Sequence, residues 1–123
     1  MQNKSIDKVQ NQKITAICVF NTPIDAQSYG TIYEEYIYEY GLEYGPDPAL
    51  LAFVEELLGE FPKEYFDTED LLADVGHHMV FIEQNPALPH LDFHILIDRA
   101  LRAGFYVSDE TNSGIYNPRL LNK

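Results

Sequence analysis

The stretch KITAICVFN, residues 13–21, decides how the chain is read. It is apolar and β-branched almost throughout, and Asn21, Thr22 and Pro23 end it. A strand with one wet face alternates apolar and polar residues, whereas a run this continuous is expected of a strand covered on both faces. Cys18, the only cysteine, lies inside it, so no internal disulfide can form. A buried, inert thiol is expected there, because a nucleophilic one needs exposure and a neighbour that lowers its pKa. Residues 1–12 are rich in Gln and Asn, show no amphipathic period, and read as a flexible tail.

Downstream of this strand, residues 25–40 read as a helix. Tyr29, Tyr33, Tyr36, Ile37 and Tyr40 follow the i, i+3, i+4 spacing and make one stripe. A strand over TIYEEYIYEY, residues 31–40, is the alternative, since tyrosine also favours strands. After a Gly- and Pro-bearing loop, DPALLAFVEELLGEFP gives the clearest helix. Asp47 suits its N-cap and Pro48 its first position, Pro62 stops it, and Leu50, Phe53, Val54, Leu57, Leu58 and Phe61 form its apolar face. KEYFDTEDLLAD (63–74) reads as an acidic connector with a helical turn at 68–73. GHHMVFIE (76–83) reads as the second strand and HLDFHILIDRALRAG (90–104) as the third helix, stopped by Gly104. FYVSD (105–109) and IYN (115–117) close the chain as a hairpin.

The expected architecture is α+β: strand-helix-helix-strand-helix-strand-strand, with a small mixed sheet of about four strands packed by three helices. Strands joined through helices favour parallel neighbours, and the last two should be antiparallel. The length of 123 residues suits one domain, over 13–123, and the hydrophobic fraction of 46% is that of a globular chain. The polar N-terminus has no apolar signal core, and no run reaches the ~18 apolar residues of a membrane span, so a cytoplasmic protein is expected.

The net charge is −12, and its distribution is uneven. Lys4, Lys8 and Lys13 sit in the first 13 residues. Residues 14–62 hold no lysine or arginine, yet contain Asp25, Glu34, Glu35, Glu39, Glu43, Asp47, Glu55, Glu56 and Glu60. Within it, YEEYIYEYGLEYGPDP (33–48) sets five tyrosines among five acids. Such a balance opposes direct nucleic-acid binding, which requires phosphate neutralisation, and docking on anionic membranes. Tyrosine offers a large, rigid contact at low entropic cost, and its ring stacks on guanidinium groups while carboxylates steer and pair. A basic protein partner fits Tyr33, Glu34, Glu35, Tyr38, Glu39, Glu43, Tyr44 and Asp47, with Glu55, Glu56 and Glu60 as a second patch. The plainer reading is a tyrosine stripe on the sheet and a solvated acidic face.

Catalytic signatures are missing: the sequence has no GxSxG, no phosphate loop and no GxGxxG. His77 and His78 fall in the expected second strand, where successive side chains point to opposite faces, one packed and one exposed. His90 and His94 are spaced i, i+4, as zinc-binding pairs are, but no HExxH glutamate or second ligand cluster accompanies them. No catalytic residue, metal or cofactor is therefore expected.

The sequence of ITAICVFN, a helix ending LLGEFP, HHMVFIE, FHILIDRALRAGF and the closing FYVSDETNSGIYNP resembles small acidic bacterial proteins, some of which are the immunity proteins of polymorphic toxin systems. The resemblance spans residues 14–118, is one of pattern, and is most specific at its ending. It implies a protein that binds and neutralises a cognate toxin domain, with no catalytic residues of its own. A nuclease toxin would present the basic groove that the acidic face suits. Two other readings stand beside it: a small enzyme or metal-binding domain using His77, His78, His90 or His94, and an acidic nucleic-acid mimic.

Overall fold

The computed structural model describes residues 12–25, 45–88 and 91–119. Strand β1, Ala16–Phe20, is buried along its whole length and has a partner on each edge. It pairs antiparallel with β2 (Met79–Glu83), Ala16 opposite Glu83 and Phe20 opposite Met79. On its other edge it pairs antiparallel with β3 (Tyr106–Asp109), Ile17 opposite Asp109. β3 pairs in turn with β4 (Ile115–Tyr116), giving the order β2-β1-β3-β4.

Helices α1 (Pro48–Glu60) and α2 (Phe93–Arg102) join these strands. Leu50, Phe53, Val54 and Leu57 of α1 and Phe93, Leu96, Ile97, Ala100 and Leu101 of α2 are buried. They form one core with Ile17, Val19, Val80, Ile82 and Val107. The alternate strand residues Cys18, Phe20 and Met79 build a second cluster with Ile24, flanked by half-buried Phe81, Tyr106 and Ile115. The continuous apolar run of β1 is thus used on both faces, and its thiol is buried as expected.

Among the described residues the expected mixed sheet is not found, because every hydrogen-bonded strand pair there is antiparallel. The reason lies in the connector. The N-terminus of α1 meets the start of β2, where Asp47 N donates to Gly76 O (2.9 Å). α1 then crosses the sheet, and the chain after Pro62 reaches the far end of β2, where Phe66 bridges Gln84 and Asp67 N donates to Glu83 O. Residues 67–76 return beside β2, with Leu71 and Val75 buried. This second traverse brings the chain back to the end where β1 finishes, so β2 must run against β1. The connection from β2 through α2 makes a single traverse, and β3 runs in the same direction as β2. The parallel relationship expected of a helical crossover is therefore present, with β1 inserted between its two strands.

Element ends also shift. The connector carries 3₁₀ turns at Lys63–Tyr65 and Leu72–Asp74, not one turn at 68–73. β1, β3 and β4 are shorter than expected, and β2 begins at Met79. α2 starts at Phe93 because Asp92 caps it, its carboxylate accepting from His94 N (3.0 Å). Two α-helices lie among the described residues; the third, expected over 25–40, falls almost wholly outside them, as does the tail. Gly104 ends α2 with φ +92°, a conformation that costs a side-chain-bearing residue more than glycine.

The hairpin turn between β3 and β4 is held from within. The buried Asp109 carboxylate accepts from Thr111 N (2.8 Å) and Asn112 N (2.9 Å). The turn is also tied to the entry of β1, since Thr15 N donates to Thr111 Oγ1 and Asn112 Nδ2 to Gln12 O. Burial, with the Asp109 carboxylate adding to it, raises the Tyr116 phenol above its ordinary value.

Leu57, 1% exposed at the helix–sheet contact, should lose about 2–5 kcal/mol of stability on Leu57→Ala. Asp47→Ala should lose only about 0.5–2 kcal/mol, the cost of a cap, both read by urea unfolding. Burial disfavours the phenolate, so Tyr116 leaves stability independent of pH below the ordinary tyrosine value of 10.0, and stability falls as pH rises from that value through the raised folded pKa. Tyr116→Phe should therefore make alkaline unfolding less steep, with unchanged stability at neutral pH.

Candidate partner-binding surface

α1 is oriented by its first residues. Asp47 accepts from Leu50 N at 2.9 Å, and Pro48 stands where a missing N–H costs nothing. With Leu50, Phe53, Val54 and Leu57 turned to the sheet, the opposite side carries Ala49, Ala52, Glu55, Glu56, Gly59 and Glu60, all exposed. Glu55, Glu56 and Glu60, expected as a second patch, are thus all exposed, with Glu60 engaged by Arg99. Asp47, expected to meet a partner, is half-buried and has its carboxylate engaged as the helix cap. Tyr33, Glu34, Glu35, Tyr38, Glu39, Glu43 and Tyr44 lie outside the described residues.

The connector extends this acidic surface. Phe66, Leu71 and Val75 peg it into the core, which leaves Glu64, Asp67, Glu69, Asp70 and Asp74 exposed. Asp70 accepts from Leu72 N (3.1 Å), and Thr68 Oγ1 donates to Asp74 Oδ2 (2.6 Å). The sequence marks this segment as an acidic connector and no more. Its charge run was the available signal, but the buried pegs that hold it in place were not recognisable without the fold.

Among the described residues, lysine and arginine occur only at positions 13, 63, 99, 102 and 119. The two on α2 are held by carboxylates. Arg102 Nε donates to Asp98 Oδ2 (2.8 Å) one helical turn away. Arg99 crosses to α1 and grips Glu60 through both terminal nitrogens, Nη1 to Oε2 and Nη2 to Oε1. Hydrogen bonding to Arg99 lowers the Glu60 pKa from its ordinary value, and the same contact raises that of Arg99. Beside this pair, α1 and the end of α2 enclose an open groove of about 270 Å³, lined by Ala49, Ala52, Phe53, Glu56, Leu57, Arg99, Ala103 and Phe105. Phe53 and Phe105 meet edge to face, centroids 5.5 Å apart.

The histidines are arranged differently from expectation. His77 and His78 precede β2 in a bend, so the strand alternation does not apply: both are half-buried and their rings meet edge to face at 4.6 Å. Their carbonyls anchor the end of β1, accepting from Asn21 Nδ2 (2.9 Å) and Asn21 N (3.0 Å) respectively. His94 is exposed in the first turn of α2, and His90 lies outside the described residues. Among the described residues no three of His, Cys, Asp and Glu gather closely enough to hold a metal ion, and no helix is long and apolar enough to cross a membrane.

Comparison with known proteins gave no match: no family model, no curated protein and no solved structure matches this chain.

The lowered pKa of Glu60 gives the Arg99 contact a pH signature. Its contribution is present above the ordinary glutamate value of 4.5 and is lost as pH falls through the lowered folded value. Thermal melts of Glu60→Gln should fall slightly below those of the parent at neutral pH and low salt. The difference should close in acid and shrink in high salt.

Proposed function

We propose that the protein is a cytoplasmic immunity protein that binds the toxic domain of a cognate bacterial toxin, a basic nuclease domain, and neutralises it. One observation carries this reading: α1 and the connector expose Glu55, Glu56, Glu64, Asp67 and Glu69 on elements fixed by buried apolar residues, while both arginines of α2 are tied up by carboxylates. Ordinary surfaces intersperse the two signs. A nuclease must hold phosphates with a basic groove. A preformed acidic surface covers such a groove, competes with nucleic acid and speeds encounter by steering. The tyrosine-rich segment with Tyr33, Glu34, Glu35, Tyr38, Glu39, Glu43 and Tyr44 is assigned to the same interface for its composition.

The tagged protein, used as bait in a lysate of the organism that encodes it and eluted in salt steps, should retain one basic toxin domain in stoichiometric amount. Co-expression should then protect cells from that domain. A spread of unrelated basic proteins released at low salt would instead indicate a nucleic-acid mimic or generic charge. Two variants divide the surface: Glu34→Lys/Glu35→Lys/Glu39→Lys and Glu55→Lys/Glu64→Lys/Glu69→Lys. Each should slow association with the toxin by about tenfold or more at low salt. Unchanged inhibition by both would remove the acidic surface from the interface.

A further inference from the structure

The groove between α1 and α2 has a floor and a rim of different chemistry. Three exposed alanines and the edges of Phe53 and Phe105 supply apolar surface, and Glu56 and Arg99, the latter paired with Glu60, supply the charge. At about 270 Å³ it is slightly smaller than the roughly 300–1,000 Å³ typical of small-molecule sites, which favours one inserted side chain over a free metabolite.

The rim selects which side chain. Both terminal nitrogens of Arg99 are committed to Glu60, so that arginine offers little to an incoming anion. The Glu56 carboxylate is exposed and feels the charge of Arg99, but accepts no hydrogen bond from a described residue. One carboxylate at the rim is therefore in excess. Exposed Ala49, Ala52 and Ala103 keep the walls low and let a partner backbone approach.

Resting on the reading of a basic partner given above, we propose that this groove receives a lysine or arginine side chain of the partner. Its aliphatic stem lies over Ala49, Ala52, Ala103 and the exposed edges of Phe53 and Phe105, and its cationic head reaches Glu56. Long basic side chains bury their stems on apolar surface while the head remains solvated, and a groove with an apolar floor and an acidic rim matches both ends.

Three capped tripeptides test this: acetyl-Gly-Lys-Gly-amide, acetyl-Gly-Arg-Gly-amide and acetyl-Gly-norleucine-Gly-amide, each titrated into the ¹⁵N-labelled full chain. The two basic peptides should shift the amide signals of Ala52, Phe53, Glu56, Ala103 and Phe105 saturably, with Kd on the order of millimolar. The norleucine peptide and a glycine-only control should bind at least about fivefold more weakly. Glu56→Gln should weaken the basic peptides by roughly fivefold, and Ala52→Leu, which fills the groove from an exposed position, should abolish the localised shifts. Equal binding of norleucine would mean an apolar pocket only. Shifts spread evenly over all acidic residues would mean generic attraction, and either result overturns the proposal. The two inferences fail separately. Localised lysine binding without any toxin partner leaves the groove assignment standing and removes the immunity reading, while full neutralisation of a captured toxin by the Ala52→Leu protein does the reverse.

Discussion

The backbone of β1 hydrogen-bonds along both edges and its side chains are buried on both faces, and the other elements are placed by reference to it. Ile17 and Val19 give α1 and α2 a surface to pack on, while Cys18 and Phe20 face the second cluster. A strand used in this way admits no polar residue within it, because a buried group without a hydrogen-bond partner is costly. The entry of β1 is secured as well. Thr15 and Gln12 are tied to the β3–β4 turn by Thr111 and Asn112, so the last hairpin locks the first strand across nearly the whole sequence.

With β1 at the centre, the direction of β2 depends on the end of the sheet at which the chain re-enters. The connector decides this by traversing the sheet a second time, anchored by Phe66, Leu71 and Val75. The same geometry places its carboxylates. A segment pegged by widely spaced apolar residues must turn the remaining ones outward, and here those are largely Glu and Asp. It also runs beside the outer edge of β2, where Phe66 bridges Gln84 and Gly76 N donates to Met79 O, so part of an exposed strand edge is occupied.

Local features were legible in the sequence wherever one residue type answers one local demand. Asp47 and Pro48 announce the start of α1, Pro62 its end and Gly104 the end of α2; the unbroken apolar run announces β1. Strand direction was not legible, because it depends on the path of residues 63–76, whose apolar pegs are too sparse to show a period. The histidine pair was misread for a related reason: strand alternation was extended two residues past the point where the backbone becomes extended. On the candidate surface, Glu55, Glu56 and Glu60 were found from helical periodicity. Arg99 was not, since its partner Glu60 is 39 positions away and only the crossing of the helices brings them together.

Arg99 matters to the surface as a whole because of what it is not free to do. An uncommitted arginine between α1 and α2 would present a positive point to a basic partner and repel it. Paired with Glu60, it instead braces the groove wall and leaves the surrounding carboxylates to set the field. The remaining uncompensated charge repels itself, which disfavours the compact state. The buried residues of α1 and the connector offset that repulsion in the isolated protein. A basic partner would relieve it directly, so on this reading binding and folding stability are linked: the surface that weakens the free fold is the one from which a complex gains.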